Sequence, residues 1–198
     1  MVLVNRQAPD FVAPAVMPDG SIKEDFRLSD LKGKYVVLFF YPLDFTFVCP
    51  TEILAHNHRL AKFKERDVEV VGVSIDSQYT HHAWRETPVD KGGIGPIGFP
   101  LVADIKHEIT RAYGVEHPDG VALRASFLID RDGVVQHQVV NNLPLGREVD
   151  EMLRMVDALQ YVEKHGEVCP AEWEPGKEAM KPTPEGVAEY LAKHAQEL

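Results

Sequence analysis

The chain carries two cysteines, Cys49 and Cys169, in unlike surroundings. Cys49 stands in the segment Pro42-Leu43-Asp44-Phe45-Thr46-Phe47-Val48-Cys49-Pro50-Thr51-Glu52, after an apolar run and at the expected start of a helix. Backbone N–H groups and the positive end of a helix dipole favour a thiolate, the nucleophilic form. Thr46 offers a hydroxyl to the sulfur or to a bound oxygen, and Pro42 can shield the thiolate from water. Ionisation alone is a small effect. A thiol with pKa about 8.5 is a few per cent ionised near neutral pH, so complete ionisation gains roughly ten- to thirty-fold. Fast chemistry at such a thiol also needs preorganised donors for the charge that develops on a leaving atom, and removing one donor costs about 10² or more in rate. Arg124 and Arg147 are the candidates, because guanidinium binds thiolate and oxygen without losing its proton. By residue type alone, an arginine is more often an ordinary surface charge.

Position 52 is Glu, so Cys49 does not belong to a Cys-x-x-Cys dithiol. A second thiol must come from far along the chain. Cys169 lies in the C-terminal region, followed by Pro170, and an exposed cysteine there suits reaction with a sulfenic acid. The plainer alternative is a pair of inert buried thiols.

The elements that must position these residues follow from patterning. The unbroken apolar run Tyr35–Tyr41 reads as a strand covered on both faces, stopped by Pro42. A helix beginning near Cys49 or Pro50 suits proline in a first turn and Glu52 at the positive helix end. The next strand is expected over Val68–Ile75, which implies a parallel pair with a right-handed crossover. Helices are expected at 77–86, 105–113, 147–164 and 184–195, and a short strand at 99–103. A hairpin over 125–140 is expected to turn at Asp132-Gly133. Residues 1–34, with Pro9, Pro14 and Pro18, read as irregular. The order is that of an α/β, thioredoxin-like fold with an N-terminal extension and a C-terminal tail. Residues 1–166 form the domain and 167–198 the tail.

Composition sets the outer limits. A hydrophobic content of 44% supports a buried core, and the net charge of −10 argues against nucleic-acid binding. No apolar run is long enough to cross a bilayer and no secretory signal is evident, so a cytoplasmic protein is expected.

These segments together resemble the typical 2-Cys peroxiredoxins, the family containing the alkyl hydroperoxide reductase C subunits, over nearly the whole chain. Pro42, Thr46 and Cys49 match the family's Pro-x-x-x-Thr-x-x-Cys motif, and Glu167-Val168-Cys169-Pro170-Ala171 matches its resolving motif, with Trp173 close behind. Leu123–Phe127 and Leu143–Arg147 resemble the segments bearing two active-site arginines, which Glu52 orients. The resemblance implies a peroxidatic Cys49 that reduces hydrogen peroxide and organic hydroperoxides. A resolving Cys169 from a partner subunit then forms an intersubunit disulfide, and thioredoxin or a similar dithiol protein, or a flavoprotein disulfide reductase, recycles it. It implies no metal, flavin or haem, and a homodimer that assembles as a ring of five dimers.

His56, His58, His81 and His82 are read as surface histidines rather than metal ligands, since their spacing on a helix points them apart. Gly92-Gly93-Ile94-Gly95 lacks a phosphate-loop pattern. It resembles a segment of overoxidation-sensitive peroxiredoxins, but the tail has Tyr190-Leu191 where those carry Tyr-Phe, so intermediate sensitivity is expected. Two alternatives differ in class. A holdase chaperone has no need of Thr46 beside Cys49, and a protein thiol–disulfide oxidoreductase is disfavoured by Glu52.

Overall fold

Every residue of β3 (Tyr35–Phe40) is buried, as its unbroken apolar sequence requires. On one side it pairs in parallel with β4 (Val68–Ser74), from Tyr35↔Val68 to Phe40↔Val73. On the other it pairs antiparallel with β6 (Arg124–Ile129). Side chains alternate across the sheet. Val36, Leu38 and Phe40 join Val71, Val73 and Phe127 in one core cluster, where Phe40 also meets Tyr113 with ring centroids 5.2 Å apart. Phe39 points to the opposite face and meets Phe99 edge-on at 5.7 Å. Fully burying side chains of this size contributes about 1.5–3 kcal/mol each, so β3 anchors whatever follows it.

The computed structural model describes residues 1–196 and 198. The chain divides into two units, Met1–Val149 and Asp150–Leu198. In the first, β1 (Val12–Val16), β2 (Ile22–Arg27), β5 (Leu101–Ala103) and β7 (Val135–Asn141) complete a seven-stranded sheet of order β2-β1-β5-β4-β3-β6-β7. Its helices are α1 (Cys49–His58), α2 (Leu60–Glu65), α3 (Gln78–Glu86) and α4 (Glu108–Ala112). The second unit holds α5 (Val149–His165, whose first residue closes the first unit) and α6 (Pro184–His194). Thr183 caps α6, its side chain accepting from Gly186 N. The result is the expected α/β, thioredoxin-like fold. No helix among the described residues is long and apolar enough to cross a membrane.

Three differences from the sequence expectations are local. Residues 1–34 are not irregular throughout, because β1 and β2 form an antiparallel pair at one end of the sheet. Pro14 sits at the register shift between Ala13 and Ala15, a bulge where proline costs no ladder bond. The helix expected from 105 starts at Glu108, because the Asp104 carboxylate accepts from Ile109 N and Thr110 N at 3.1 and 2.7 Å and stops the helix from extending back. The helix expected from Arg147 starts at Val149, and Arg147 lies just before it with its N–H donating to Glu52 Oε1 at 3.0 Å.

Candidate active site

Cys49 opens α1 immediately beyond the loop that follows β3, with Pro50 in the first turn as expected. Its side chain has 0% exposure, and Pro42 is buried as well. The first turn is closed by Thr51 N and Glu52 N donating to Val48 O at 3.0 and 3.2 Å. Val48 supplies no side-chain cap.

Glu52, one turn along α1, gathers both candidate arginines. Arg147 donates from its backbone N and Nε to Oε1 at 3.0 and 2.8 Å, and from Nη2 to Oε2 at 2.8 Å. Arg124 Nη1 donates to Oε2 at 2.7 Å and also lies 3.4 Å from Cys49 Sγ. All three charged side chains are at most 5% exposed. Burial would raise the Glu52 carboxyl, but the bonds and charge of Arg147, then Arg124, outweigh it and hold the carboxyl below its usual value. Glu52 offsets one guanidinium charge. The other remains beside the sulfur, where negative charge gathers in any nucleophilic step. Arg147 is fixed further by Ala125 O at 2.6 Å and Ser126 Oγ at 3.1 Å, both on β6, and its guanidinium lies over the Phe39 ring.

The loop between β3 and α1 supplies a contact that residue type could not announce. The Leu43 carbonyl accepts from Thr46 Oγ1 at 2.8 Å, while Arg124 Nε donates to the Leu143 carbonyl, beyond β7, at 2.6 Å. Thr46 therefore spends its proton on Leu43 and presents its oxygen as an acceptor. The sequence-expected residues Pro42, Thr46, Cys49, Glu52, Arg124 and Arg147 thus all lie in the first unit, and Glu52 joins the two arginines, one of which reaches Cys49.

Two histidines expected at the surface are buried, at 1% exposure for His56 and 0% for His81. His56 donates from Nδ1 to Glu52 O at 2.7 Å and stacks on Phe39, centroids 4.2 Å apart at 6°. Desolvation, then the Arg147 charge, lowers its pKa to about 4, so the ring is neutral. His81 is paired with Asp44. Sequence spacing described where these rings point on a helix but not what the sheet supplied on that side.

In the second unit, Cys169 is a half-buried free thiol, with Sγ 3.7 Å from Ala158 O. Desolvation raises its pKa and the Arg154 charge offsets part of that rise. Beside it in sequence, Val168 bridges Met180, and the buried Trp173 meets Tyr161 at 5.1 Å and donates from Nε1 to Lys177 O at 3.2 Å.

Residues 4–138 match the model of the AhpC/TSA family, and residues 158–193 match that of the C-terminal domain of 1-Cys peroxiredoxin. The chain is 55% identical over 198 residues to alkyl hydroperoxide reductase C of Helicobacter pylori (strain J99), covering 100% of both chains. It is 54% identical over 192 residues to peroxiredoxin-2 of Macaca fascicularis, covering 96% of each. Among solved structures, reduced 2-Cys peroxiredoxin of Plasmodium vivax superposes with a TM-score of 0.94 at 54% identity, covering 97% of this chain and 100% of that one.

Proposed function

The chain belongs to the AhpC/TSA family of thiol-dependent peroxidases, and we propose that Cys49 is its peroxidatic residue and Cys169 its resolving residue. The observation that carries this is the Arg124 guanidinium, which stands 3.4 Å from Cys49 Sγ while Glu52 balances only one of the two arginine charges.

In the first step the Cys49 sulfur attacks the terminal oxygen of a hydroperoxide. The S–O bond forms as the O–O bond breaks, and the leaving oxygen takes a proton and departs as water or alcohol. Arg124 neutralises charge passing from sulfur to oxygen. Thr46, having donated to Leu43, accepts from the peroxide hydroxyl and holds it for in-line attack. Arg147 and Glu52 keep Arg124 in place, and Pro42 limits water. In the second step the Cys169 thiol attacks the Cys49 sulfenic acid, forming a disulfide and releasing water. An external dithiol protein, thioredoxin or a disulfide reductase, then returns both thiols by exchange.

The subunit supplying Cys169, a homodimer and a ring of five dimers are inferred from the family. So are residues 1–166 as the peroxidase domain, 167–198 as the tail that carries the resolving thiol, and a cytoplasmic setting. Peroxide consumption by wild type, Cys49→Ser and Cys169→Ser tests the assignment. Cys49→Ser should abolish turnover, and Cys169→Ser should allow a single oxidation without thioredoxin-type recycling. Unchanged turnover in Cys49→Ser would overturn it.

A further inference from the structure

The peptide linking Leu43 to Asp44 joins two sets of contacts. Its carbonyl accepts from Thr46 Oγ1 at 2.8 Å. Its N–H, on the opposite edge, donates to Asp76 Oδ2 at 2.9 Å. A peptide is planar, so neither edge turns without the other. Asp76 lies just past β4 and is held by Ser74, whose Oγ donates to Oδ2 at 2.6 Å. Asp76 thus sets the plane from one side, and the Thr46 hydroxyl depends on it from the other.

The Asp44 side chain is fixed as firmly. Tyr41 OH donates to Oδ1 at 2.8 Å, and His81 Nδ1 lies 2.7 Å from Oδ2. His81 Nε2 lies 3.1 Å from the Val102 carbonyl on β5. Each principal partner of the imidazole is an acceptor, so only the doubly protonated ring satisfies both. Burial works against both charges. It pushes Asp44 up, with His81 offsetting part of the rise. It would push His81 down, but the bond and charge of Asp44 prevail and the imidazole sits above its usual value. The ionisable groups facing His81 are Tyr41 at the end of β3, Asp44 in the loop and Asp76 after β4. Burial, then the Asp44 charge, pushes the Tyr41 hydroxyl well above its usual value, so it does not titrate alongside His81. Ligand atoms of Asp44, Asp76 and His81 lie within 4.8 Å of one another, but an imidazolium has no lone pair to offer a cation.

We propose that Asp76, Asp44 and His81 are positioning residues of the peroxidase site, which fix the Leu43–Asp44 peptide plane and so set the orientation in which the Thr46 hydroxyl presents its oxygen. The proposal rests on Cys49 being the peroxidatic residue. Loss of the His81 proton leaves a lone pair facing either Asp44 or Val102 and loosens the loop. The site therefore weakens on the alkaline side, where a thiol nucleophile alone would only gain.

The test is the second-order rate of Cys49 oxidation by hydrogen peroxide, followed by stopped flow across pH. Asp76→Ala should lower the rate on the order of ten- to a hundred-fold, the range that small misplacements of reacting groups cost. Asp76→Asn keeps an oxygen acceptor and should recover to within about threefold of wild type, as a hydrogen-bond acceptor role requires. Wild type should lose rate at alkaline pH, and His81→Gln should be slower and flat there. Full rate in Asp76→Ala, or an unchanged alkaline fall in His81→Gln, would overturn the proposal. Should the variants not fold, nitrogen NMR of the wild-type His81 ring decides: two protonated nitrogens near neutral pH are expected, and a neutral tautomer refutes the clamp. That spectrum reads the clamp even if Cys49→Ser were to retain turnover, which would refute the functional assignment instead.

Discussion

Replacing Glu52 by Gln removes one negative charge and changes the volume little. Four donors converge on the carboxylate, three from Arg147 and one from Arg124. A carboxamide keeps one oxygen. If that oxygen faces Arg147 N and Nε, the new NH₂ group is turned toward Arg147 Nη2 and Arg124 Nη1, donor against donor. Two charge-assisted bonds are then lost, at about 1.5–3 kcal/mol each. Two guanidinium groups, with side chains 5% and 3% exposed, are left without their counter-ion. Breaking one side of a buried ion pair costs about 3–5 kcal/mol, in agreement with the bond count. Urea unfolding of reduced protein should show that loss, measured at one fixed concentration so that any self-association contributes equally to both proteins. The rate of Cys49 oxidation should fall on the order of 10², since Arg124 loses its orienting partner. Arg124→Met provides the contrast. It leaves Glu52 and Arg147 as a one-to-one pair, so stability should fall less than in Glu52→Gln while the rate falls further. Glu52→Gln within 1 kcal/mol of wild type, or Arg124→Met the less stable of the two, would refute the charge balance.

His56 should make the protein acid-sensitive. Its folded pKa is about 4 against 6.5 for the free side chain, so its contribution is complete above 6.5 and drains away as pH falls towards 4. The loss reaches about 3 kcal/mol, and His56→Phe should remove that part of the pH slope in denaturation midpoints; an identical slope would refute it. Gly93→Ala should lower the melting temperature, because a Cβ there runs into the Thr87 carbonyl, an overpacking that costs about 1–3 kcal/mol. An unchanged melting temperature would show that the turn yields freely. Graded peroxide during turnover, with mass spectrometry of Cys49, should show intermediate sulfinic acid formation. Tyr190 is buried but Leu191 is 43% exposed, and overoxidation as easy as in proteins with Tyr-Phe at these positions would count against the idea.

Side-chain chemistry was readable in the sequence where it announces itself by type and spacing. The strand–Pro42–Thr46–Cys49–Glu52 run located the nucleophile, and the arginines came from outside it, Arg124 on β6 beside β3 and Arg147 from the connection between β7 and α5. The Leu43 carbonyl was not readable, because every residue has one and only the fold selects which is used. His56 and His81 were misplaced for a related reason. Helical spacing indicates direction, but burial of a histidine depends on partners from β3, β5 and the loop after β3. Residues 1–34 hid two strands, since their prolines mark a break in any pattern and a bulge is one of the breaks a strand survives.

The uncapped start of α1 has its own consequence. A sulfur with no exposed surface is closed to a second thiol until the first helical turn opens. A missing side-chain cap forgoes about 1 kcal/mol of helix stability at that turn, which lowers the cost of opening it. Cys49 and Glu52 share the turn, so unwinding it releases the sulfur and scatters the arginine cluster in one motion. With Cys49 as the proposed peroxidatic residue, a chain in that opened form would lack the Arg124 contact of the peroxide site, and the two half-reactions would exclude one another in time. On the roles proposed for Cys49 and Cys169, the chain would alternate between a form that meets oxidant and a form that meets thiol, with the helix start as the escapement between them.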